Sequence, residues 1–403
     1  MQKTSIIVEK FFDNVNAENL AGKRPYMNSL NISRTKSAAY TFAKKNIVFL
    51  ISLAAACVSM LFIPPDEQYL QYFDWKTLSC LFCTLAVICA LRNICFFTLM
   101  ARKLIILVGN LRTAAFALTG ITFFGSMLIA NDMALLTFLP LGYLVLSSSG
   151  KEKHMAVIFI LQNIAANLGG MLTPFGNPQN LYLYTRFNIP NAEFISIMLI
   201  PFAAAACMIA ACCLFIPSEP LVPLQNNAEH IPLGRASLYL ALFALTILCV
   251  FRLIPYPAML AAVFFTLLFA DRKALIAVDY PLLLTFAAFF IFSGNMARIS
   301  AVHDLLAGLL QKNALLTTVC SCQLISNVPT AILLSGFTEN YRALLLGVNI
   351  GSAGTLISSL ASLITFREYS AHNKGGAARY IGLFSAFNFA FLAVLTVISL
   401  LLC

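Results

Sequence analysis

Charge is what this sequence has least of. Of its 403 residues only 10% are Asp, Glu, Lys or Arg, against 60% hydrophobic, where a water-soluble domain carries about a quarter charged residues. A mean hydropathy of +0.85 excludes an ordinary soluble enzyme, a disordered chain and a nucleic-acid-binding module. The net charge of +10 does not bring nucleic acid back as a partner, because the basic residues stand between long apolar runs instead of gathering on one face. Histidine is scarce too: there are four, none beside a partner suited to nucleophilic or metal chemistry. No Walker-type phosphate loop is present, which disfavours ATP-driven work. The twelve cysteines do not compensate. Most, including Cys57, Cys89, Cys207 and Cys249, lie in apolar runs as small hydrophobes. Cys80-x-x-Cys83 has no second pair or nearby His to complete a zinc site.

What the sequence has instead is uncharged runs of membrane-crossing length. A helix spanning the hydrocarbon core needs ~20 apolar residues at ~1.5 Å each. Segments 46–65, 194–218, 236–251, 253–270, 280–297 and 380–403 fit single spans, and 77–91 with its flanks is a weaker one. Residues 113–150 are too long for one crossing and carry Asp132 at their centre; residues 313–338 are interrupted by Ser326-Asn327-Val328-Pro329. Both read as re-entrant hairpins, since non-helical backbone at that depth survives only inside protein or against water. Run 154–185 is broken at Thr173-Pro174-Phe175-Gly176-Asn177-Pro178. The predicted fold is an all-α polytopic membrane protein of about 9–10 spans plus two re-entrant hairpins.

Charge sidedness orients it. Residues 1–45 hold eight Lys/Arg and are expected in the cytoplasm, with the chain in the cell (inner or plasma) membrane. The loop carrying Asp66, Glu67 and Asp74 then faces out, and Arg92, Arg102, Lys103 and Arg112 return inside. The first apolar run starts too late for a cleavable signal. Ile6, Ile7, Phe11, Phe12 and Val15 suit either a short helix lying on the membrane or a plain cytoplasmic tail. The expected division is a tail (1–45), a first repeat (46–216), a cytoplasmic linker (217–235) and a second repeat (236–403).

Two stretches of the chain look alike. Ala130-Asn131-Asp132 resembles Ser326-Asn327-Val328; Asn163-Ile164-Ala165, followed by Thr173 to Leu181, resembles Asn349-Ile350-Gly351, followed by Thr355 to Leu363. Five spans separate the two hairpins, an odd number, so they open to opposite sides. Inverted repeats with broken helices are the architecture of secondary transporters. Each break frees backbone N–H and C=O groups; carbonyls and Asn, Ser or Thr oxygens suit Na⁺, and half-helix N-termini suit anions. The candidate substrate and ion site is therefore Asn131, Asp132, Thr173, Gly176, Asn177, Asn180, Ser326, Asn327, Thr330, Gly354, Thr355, Ser358 and Ser359, with Asn131 facing the first break and Asn327 the second. Na⁺ is expected near Asn131, Asp132, Asn177 and Asn327, with no transition metal and no cofactor beyond a coupling Na⁺ or H⁺. Asp132 is the sole carboxylate deep in a predicted membrane segment, costly there unless it serves a cation or a proton.

The motifs resemble the ion transporter superfamily, which includes arsenite permeases, citrate transporters, sodium–proton antiporters and sodium-coupled dicarboxylate or sulfate symporters. Ala130-Asn131-Asp132 with its apolar run to Pro140 is similar to the first hairpin of bacterial arsenite permeases, and Thr173-Pro174-Phe175-Gly176-Asn177-Pro178-Gln179-Asn180-Leu181 to the family's T-P-[IF]-G-N-P-Q-N-L segment. The resemblance covers about residues 46–403. It implies a scaffold plus a transport domain moving as an elevator, a homodimer, and a small anionic substrate. In dicarboxylate symporters both tips carry Ser-Asn-Thr; Asn131, Asn327 and Ser326 match, Thr330 matches a Thr that follows in some members, and Ala130, Asp132 and Val328 depart. The function expected is a secondary active anion permease coupled to Na⁺ or H⁺, the alternative being a sodium–proton antiporter or arsenite efflux permease. An intramembrane enzyme would need an acid, base or nucleophile converging with Asp132, and a membrane-assembly protein would not need paired breaks.

Overall fold

The helices follow the uncharged runs, and their ends follow the polar residues between them. The computed structural model describes residues 46–106, 108–222 and 231–402; the expected membrane-lying segment at 6–15 and the middle of the linker fall outside these. The chain divides at Leu50 into a first unit, of which residues 46–50 are described, and a second from Ile51 onward that contains everything considered below. Helix makes up 79% of the structure, and among the described residues there is no strand. It is an all-α polytopic membrane protein.

Helix α1 (Ile47–Phe62) and a 3-10 turn (Glu67–Tyr72) precede α2 (Trp75–Asn93), which Asp74 caps by accepting from Thr77 N at 2.9 Å. Cys95, at φ 54°, turns the chain into α3 (Phe96–Ile105), which ends in basic residues and which hydropathy alone did not indicate. The first hairpin is α4 (Leu111–Gly125) and α5 (Asn131–Ser148), with residues 126–130 as its tip. Helix α6 (Met155–Gly169) and a single 3-10 turn (Gly170–Leu172) lead into the first break, and α7 (Pro178–Arg186) and α8 (Asn191–Leu214) follow it. Then come α9 (Leu233–Val250), α10 (Tyr256–Ala270), the short α11 (Arg272–Ile276) and α12 (Tyr280–Arg298).

Helix α13 (Ser300–Ile325) is divided at Asn313, whose φ of −162° and ψ of 98° interrupt the helix and whose side chain recaps it by accepting from Leu316 N. Its second half and α14 (Asn327–Leu334) form the second hairpin. Each hairpin is thus preceded by a short helix bearing charge, α3 before the first and the start of α13 before the second. The second break lies between α15 (Tyr341–Ile350) and α16 (Leu360–His372), and α17 (Ala377–Leu400) ends the described chain.

Among the described residues, seven helices are long and apolar enough to cross a membrane. That is fewer than the expected spans: α1 and α10, at 16 and 15 residues, fall short in length, as do α4, α7, α14, α15 and α16, whereas α6 with its flanking turns and α13 do qualify. Helix α6 sits at the centre, with every residue from Ile158 to Gly169 buried. Gln162 Nε2 ties it to both arms of the first hairpin, donating to Thr122 Oγ1 and the Phe138 carbonyl at 3.2 Å each. Gly169 lets α6 approach α4, since a Cβ there would lie 2.1 Å from the Phe123 carbonyl oxygen, the small-residue contact by which membrane helices close on one another. A second group is built on α2, which packs against α9, α10 and α11. Cys80 takes part in that packing, its sulfur 4.0 Å from Cys249.

Candidate functional site

Four interruptions of helix meet within the second unit: two hairpin tips and two breaks. Each tip is held to the break of its own half by the same device. Thr173 Oγ1 donates to the Met127 carbonyl at 2.6 Å, and Thr355 Oγ1 donates to the Gln323 carbonyl at 3.2 Å. Met127 and Gln323 each stand four residues before their tip asparagine, Asn131 and Asn327. The second tip is bound further, because Asn327 N donates to the Ser358 carbonyl at 2.9 Å and Ser326 Oγ donates to the same carbonyl.

The breaks match residue by residue. Gly176 N donates to the Thr173 carbonyl as Ser358 N does to that of Thr355, and Asn180 N to that of Asn177 as Ser362 N does to that of Ser359. Asn177 and Ser359 are both extended, at φ −136° and −148°, and each opens the following helix. Counting back six residues from Thr173 and Thr355 gives Asn167 and Asn349. The counterpart of Asn349 is therefore Asn167, one helical turn beyond the Asn163 that sequence likeness suggested. The Asn-Ile pair occurs at 163, but the geometry follows the distance to the break.

These two asparagines bind the halves to each other. Asn167 Oδ1 accepts from Asn131 Nδ2 at 2.9 Å and from Ser359 Oγ at 2.8 Å. Asn349 Oδ1 accepts from Asn177 Nδ2 at 3.3 Å, while Asn349 Nδ2 donates to Asn180 Oδ1 at 2.6 Å. Asn163 adds a further link, donating to Ser362 Oγ and accepting from Thr365 Oγ1. All these side chains are buried. Sequence reasoning used Asn163 and Asn349 only as markers of the repeat, without placing them in the site, and missed Asn167, Ser362 and Thr365. The available signal was a polar amide or hydroxyl in an otherwise apolar helix.

Of the expected residues, the structure brings together Asn131, Asn177, Asn180 and Ser359 through the central asparagines, and Ser326, Asn327 and Ser358 at the second tip. Thr173 and Thr355 sit at the edges as ties. Gly176 lies within the first break. Gly354, at φ +125°, requires the absence of a side chain, and a Cβ there would lie 2.1 Å from Gln323 Oε1. Thr330 spends its hydroxyl on the Ser326 carbonyl at 2.7 Å, so it supports the tip without reaching inward. Asp132 follows Asn131 at the tip, yet no hydrogen bond of its carboxylate joins it to the network among the described residues, and its Oδ1 is buried without a partner.

Several donors and acceptors here are unused. Asn131 Oδ1 and Asn327 Oδ1 each accept from the next residue's N–H, at 3.0 and 2.8 Å, which turns both tip NH₂ groups away from their own backbone. Asn131 spends its NH₂ on Asn167, whereas that of Asn327 has no partner among the described residues. Asn167 Nδ2, Asn177 Oδ1 and both amide atoms of Gln179 are buried without partners. Four helices, α5, α7, α14 and α16, begin here, and their N-terminal ends carry partial positive charge. The residues opening the first three provide no side-chain cap; only Ser359 does so, accepting from Ala361 N. A small anion suits the N-termini of α5 and α7 and the buried NH₂ groups of Asn167 and Gln179. The first N–H groups of α14 are spent on the Ser358 carbonyl and Asn327 Oδ1. Buried amide oxygens suit a cation. Among the described residues no group of three His, Cys, Asp or Glu could hold a metal ion.

The open ends of the hairpins meet opposite ends of α8. Leu111 N donates to the Glu219 carbonyl, Leu221 N to that of Gly109, and Val222 N to Ser149 Oγ, so both arms of the first hairpin join the segment following α8. Lys151 and Lys153 pair with Glu219 at 2.5 and 3.1 Å and hold its carboxyl far below the usual range, at about 2. Beyond the second hairpin, Tyr341 Oη donates to Glu193, in the first turn of α8. At 24 residues, α8 separates these ends by ~36 Å.

The profile of the citrate transporter family matches residues 39–341, three quarters of the chain. The chain belongs to that family. It is 31% identical over 343 residues to the "uncharacterized transporter MJ0456" of Methanocaldococcus jannaschii, covering 83% of this chain and 92% of that protein. It is 28% identical over 316 residues to the inner membrane protein YbiR of Escherichia coli K12, covering 76% and 83%. This citrate transporter family member is a multi-pass membrane transporter, not an enzyme.

Proposed function

We propose that this transporter moves a small anion by secondary active transport, coupled to Na⁺ or H⁺, through a site made by the two hairpin tips and the two broken helices. The observation that carries the reading is the meeting of four helix N-termini beside buried amide NH₂ groups, those of Asn167 and Gln179, that lack partners. Unsatisfied donors at that depth cost several kcal/mol each, and an anion satisfies them. Carboxylates or oxyanions fit, citrate among them given the family. A Na⁺ would take Asn177 Oδ1 and carbonyls of the breaks near Asn131 and Asn327.

The two halves, 46–216 and 236–403 joined by 217–235, are read as inverted repeats. Hairpins opening at opposite ends of α8 support this, as does the exchange of partners between the breaks. The group of α2, α9 and α10 is the natural scaffold, with the hairpins and broken helices as the moving domain of a homodimer. The membrane is the inner or plasma membrane, with the N-terminal tail in the cytoplasm. The free Asp132 Oδ1 favours a second reading, in which a proton is exchanged and the protein works as an antiporter or efflux permease.

The test is a panel of citrate, succinate, sulfate and arsenite in proteoliposomes, with Na⁺ and pH gradients imposed separately. Accumulation of one anion under one gradient is expected. Movement of Na⁺ against H⁺ with no anion carried would replace this reading with the antiporter.

A further inference from the structure

A cavity of about 560 Å³ lies on the side where the second hairpin opens. Its walls include Tyr182 and Arg186 of α7, Ile332 and Ser335 of α14, and Lys76 of α2. Both α7 and α14 begin at the crossing of tips and breaks, at Pro178 and Asn327. Arg186 and Ser335 each stand eight residues further along, so the cavity lies ~12 Å from the crossing. The two helices are joined at that depth by a hydrogen bond between Tyr182 Oη and Ser335 Oγ, 2.7 Å long.

The charges on these walls are unequal in number and in freedom. Asp74, the carboxylate in the lining, is engaged by Thr77, whose N and Oγ1 donate to its two oxygens at 2.9 and 2.5 Å. Arg298 is paired with Asp66 at 2.7 Å and donates to Tyr72 Oη. Lys76 and Arg186 have neither an ion pair nor a hydrogen bond from their side chains among the described residues. Two free cations in a concave site with low-dielectric walls concentrate anions locally. No acid in the lining is paired with either; Arg186, the last residue of α7, also suits that helix's C-terminal end.

We propose that this cavity is an anion-capture vestibule, in which Lys76 and Arg186 hold a small carboxylate or oxyanion before it passes between α7 and α14 to the crossing. The proposal rests on the anion-transport reading and extends it to a second station. Arg186 offers a planar fork to a carboxylate, and Lys76 a mobile point charge. Neither bonds to the hairpin, so both act on encounter with the anion and leave the tip chemistry alone.

The experiment reads the cavity directly. Thr185, a half-buried lining residue, is replaced (Thr185→Cys) in a background where Cys57, Cys95, Cys207, Cys320 and Cys403 are serine. Its modification by anionic sulfonatoethyl and cationic trimethylammonioethyl methanethiosulfonates is timed and normalised to free cysteine. The anionic reagent should react roughly tenfold faster than the cationic one, and citrate should slow it. Lys76→Gln with Arg186→Gln should bring the ratio near one and abolish the slowing, each single variant falling between; the singles decide if the double variant does not fold. A ratio at or below one in the parent, or one that the substitutions leave unchanged, overturns the proposal. Citrate, succinate, sulfate and arsenite uptake is measured on the same preparations. Charge preference and citrate slowing without uptake of any of these anions sustains the vestibule and sinks the transport reading. Anion uptake without charge preference sinks the vestibule alone.

Discussion

Asn167 accepts from Ser359 at 2.8 Å across the two halves of the chain, and Asn349 accepts from Asn177 at 3.3 Å in return. By position in their breaks, Asn167 corresponds to Asn349 and Ser359 to Asn177. The two bonds are therefore one contact made twice with the halves exchanged, which is what a two-fold axis between them requires. Each bond joins the residue opening the helix after one break to the helix before the other, so a rearrangement of either break disturbs a contact with the other.

This makes the bond measurable. Asn167→Ala leaves the Asn131 amide and the Ser359 hydroxyl without their acceptor, and Ser359→Ala removes one of those two donors together with the cap on Ala361 N. Interhelical hydrogen bonds in membrane proteins average about 0.6 kcal/mol and reach about 1.7. A double-mutant cycle on detergent-solubilised protein should return a coupling in that range. Asn167→Ala should also reduce transport more than Ser359→Ala, since it releases Asn131 at the first tip as well as Ser359. Strict additivity of the two substitutions would mean that the contact carries no energy.

The tip asparagines should behave differently. Both are expected to be essential for transport. Asn131 is tied to Asn167 and Asn327 has its NH₂ unspent, so Asn131→Ala should cost more stability than Asn327→Ala, by about 1 kcal/mol, the latter losing only the local bonds of its Oδ1 to Val328 N and Ser326 Oγ. Transport assays paired with thermal melts check this. A normally transporting Asn327→Ala variant would move the anion site away from the second tip.

Much of this arrangement was legible in the sequence. Asp132 and Ser326-Asn327 interrupt runs too long for one crossing, and Thr173 to Pro178 interrupts another. Those polar insertions fix where helix must stop, because nothing else in the bilayer satisfies open backbone. Asn167 and Asn349 were not legible in role. Each sits inside an apolar helix, and only the packing of one half on the other gives its amide partners. Helix α3 escaped for the opposite reason: its ten residues are too few and too basic to register as a span. Nothing in the spacing of Lys76 and Arg186 brings α2 beside α7.

Gly354 is a position that backbone geometry prescribes. Its φ of +125° is strained for any L side chain, and a Cβ would strike Gln323 Oε1 at 2.1 Å, where Gln323 also accepts from Thr355 N at 2.9 Å. Gly354→Ala should destabilise by more than about 1 kcal/mol and reduce transport. Gln323→Ala in the same chain should recover only the steric part. Wild-type stability in Gly354→Ala would show that the second break adopts another backbone in the membrane.

The Glu219 clasp gives a pH dependence outside the membrane segments. Its carboxyl is held down to about 2 from an ordinary 4.5 by Lys151 first and Lys153 second. A depressed carboxylate stabilises above the unfolded value and loses that contribution as pH falls through the folded one. The contribution of Glu219 to the join between the first hairpin and the segment after α8 should therefore be intact at pH 5 and above, weaken between about 4.5 and about 2, and be lost below, leaving the backbone bonds of Leu111 and Leu221. Hydrogen exchange at Leu111 and Val222, which bond across this join, reports it. In Glu219→Gln the same amides should be less protected at pH 7, relative to their intrinsic exchange rates, with little further loss of protection on acidification, and protection in the parent that falls already at pH 6 would assign the transition to another group.

Asp132 should set ion coupling and leave substrate choice alone. It stands where the sodium symporters it resembles have a neutral Thr, and its Oδ1 is buried without a partner. Charge so placed is expensive unless a cation or proton accompanies it. The central asparagines meanwhile bond one another without involving it. Asp132→Asn removes the charge at nearly constant volume and leaves those bonds in place. The variant should lose gradient-driven accumulation and flatten the pH or Na⁺ dependence, while equilibrium exchange of the same anion continues with unchanged selectivity. Full coupling with an altered order of anion preference in Asp132→Asn would make Asp132 a substrate ligand and return the coupling ion to the amides of Asn177 and Asn327.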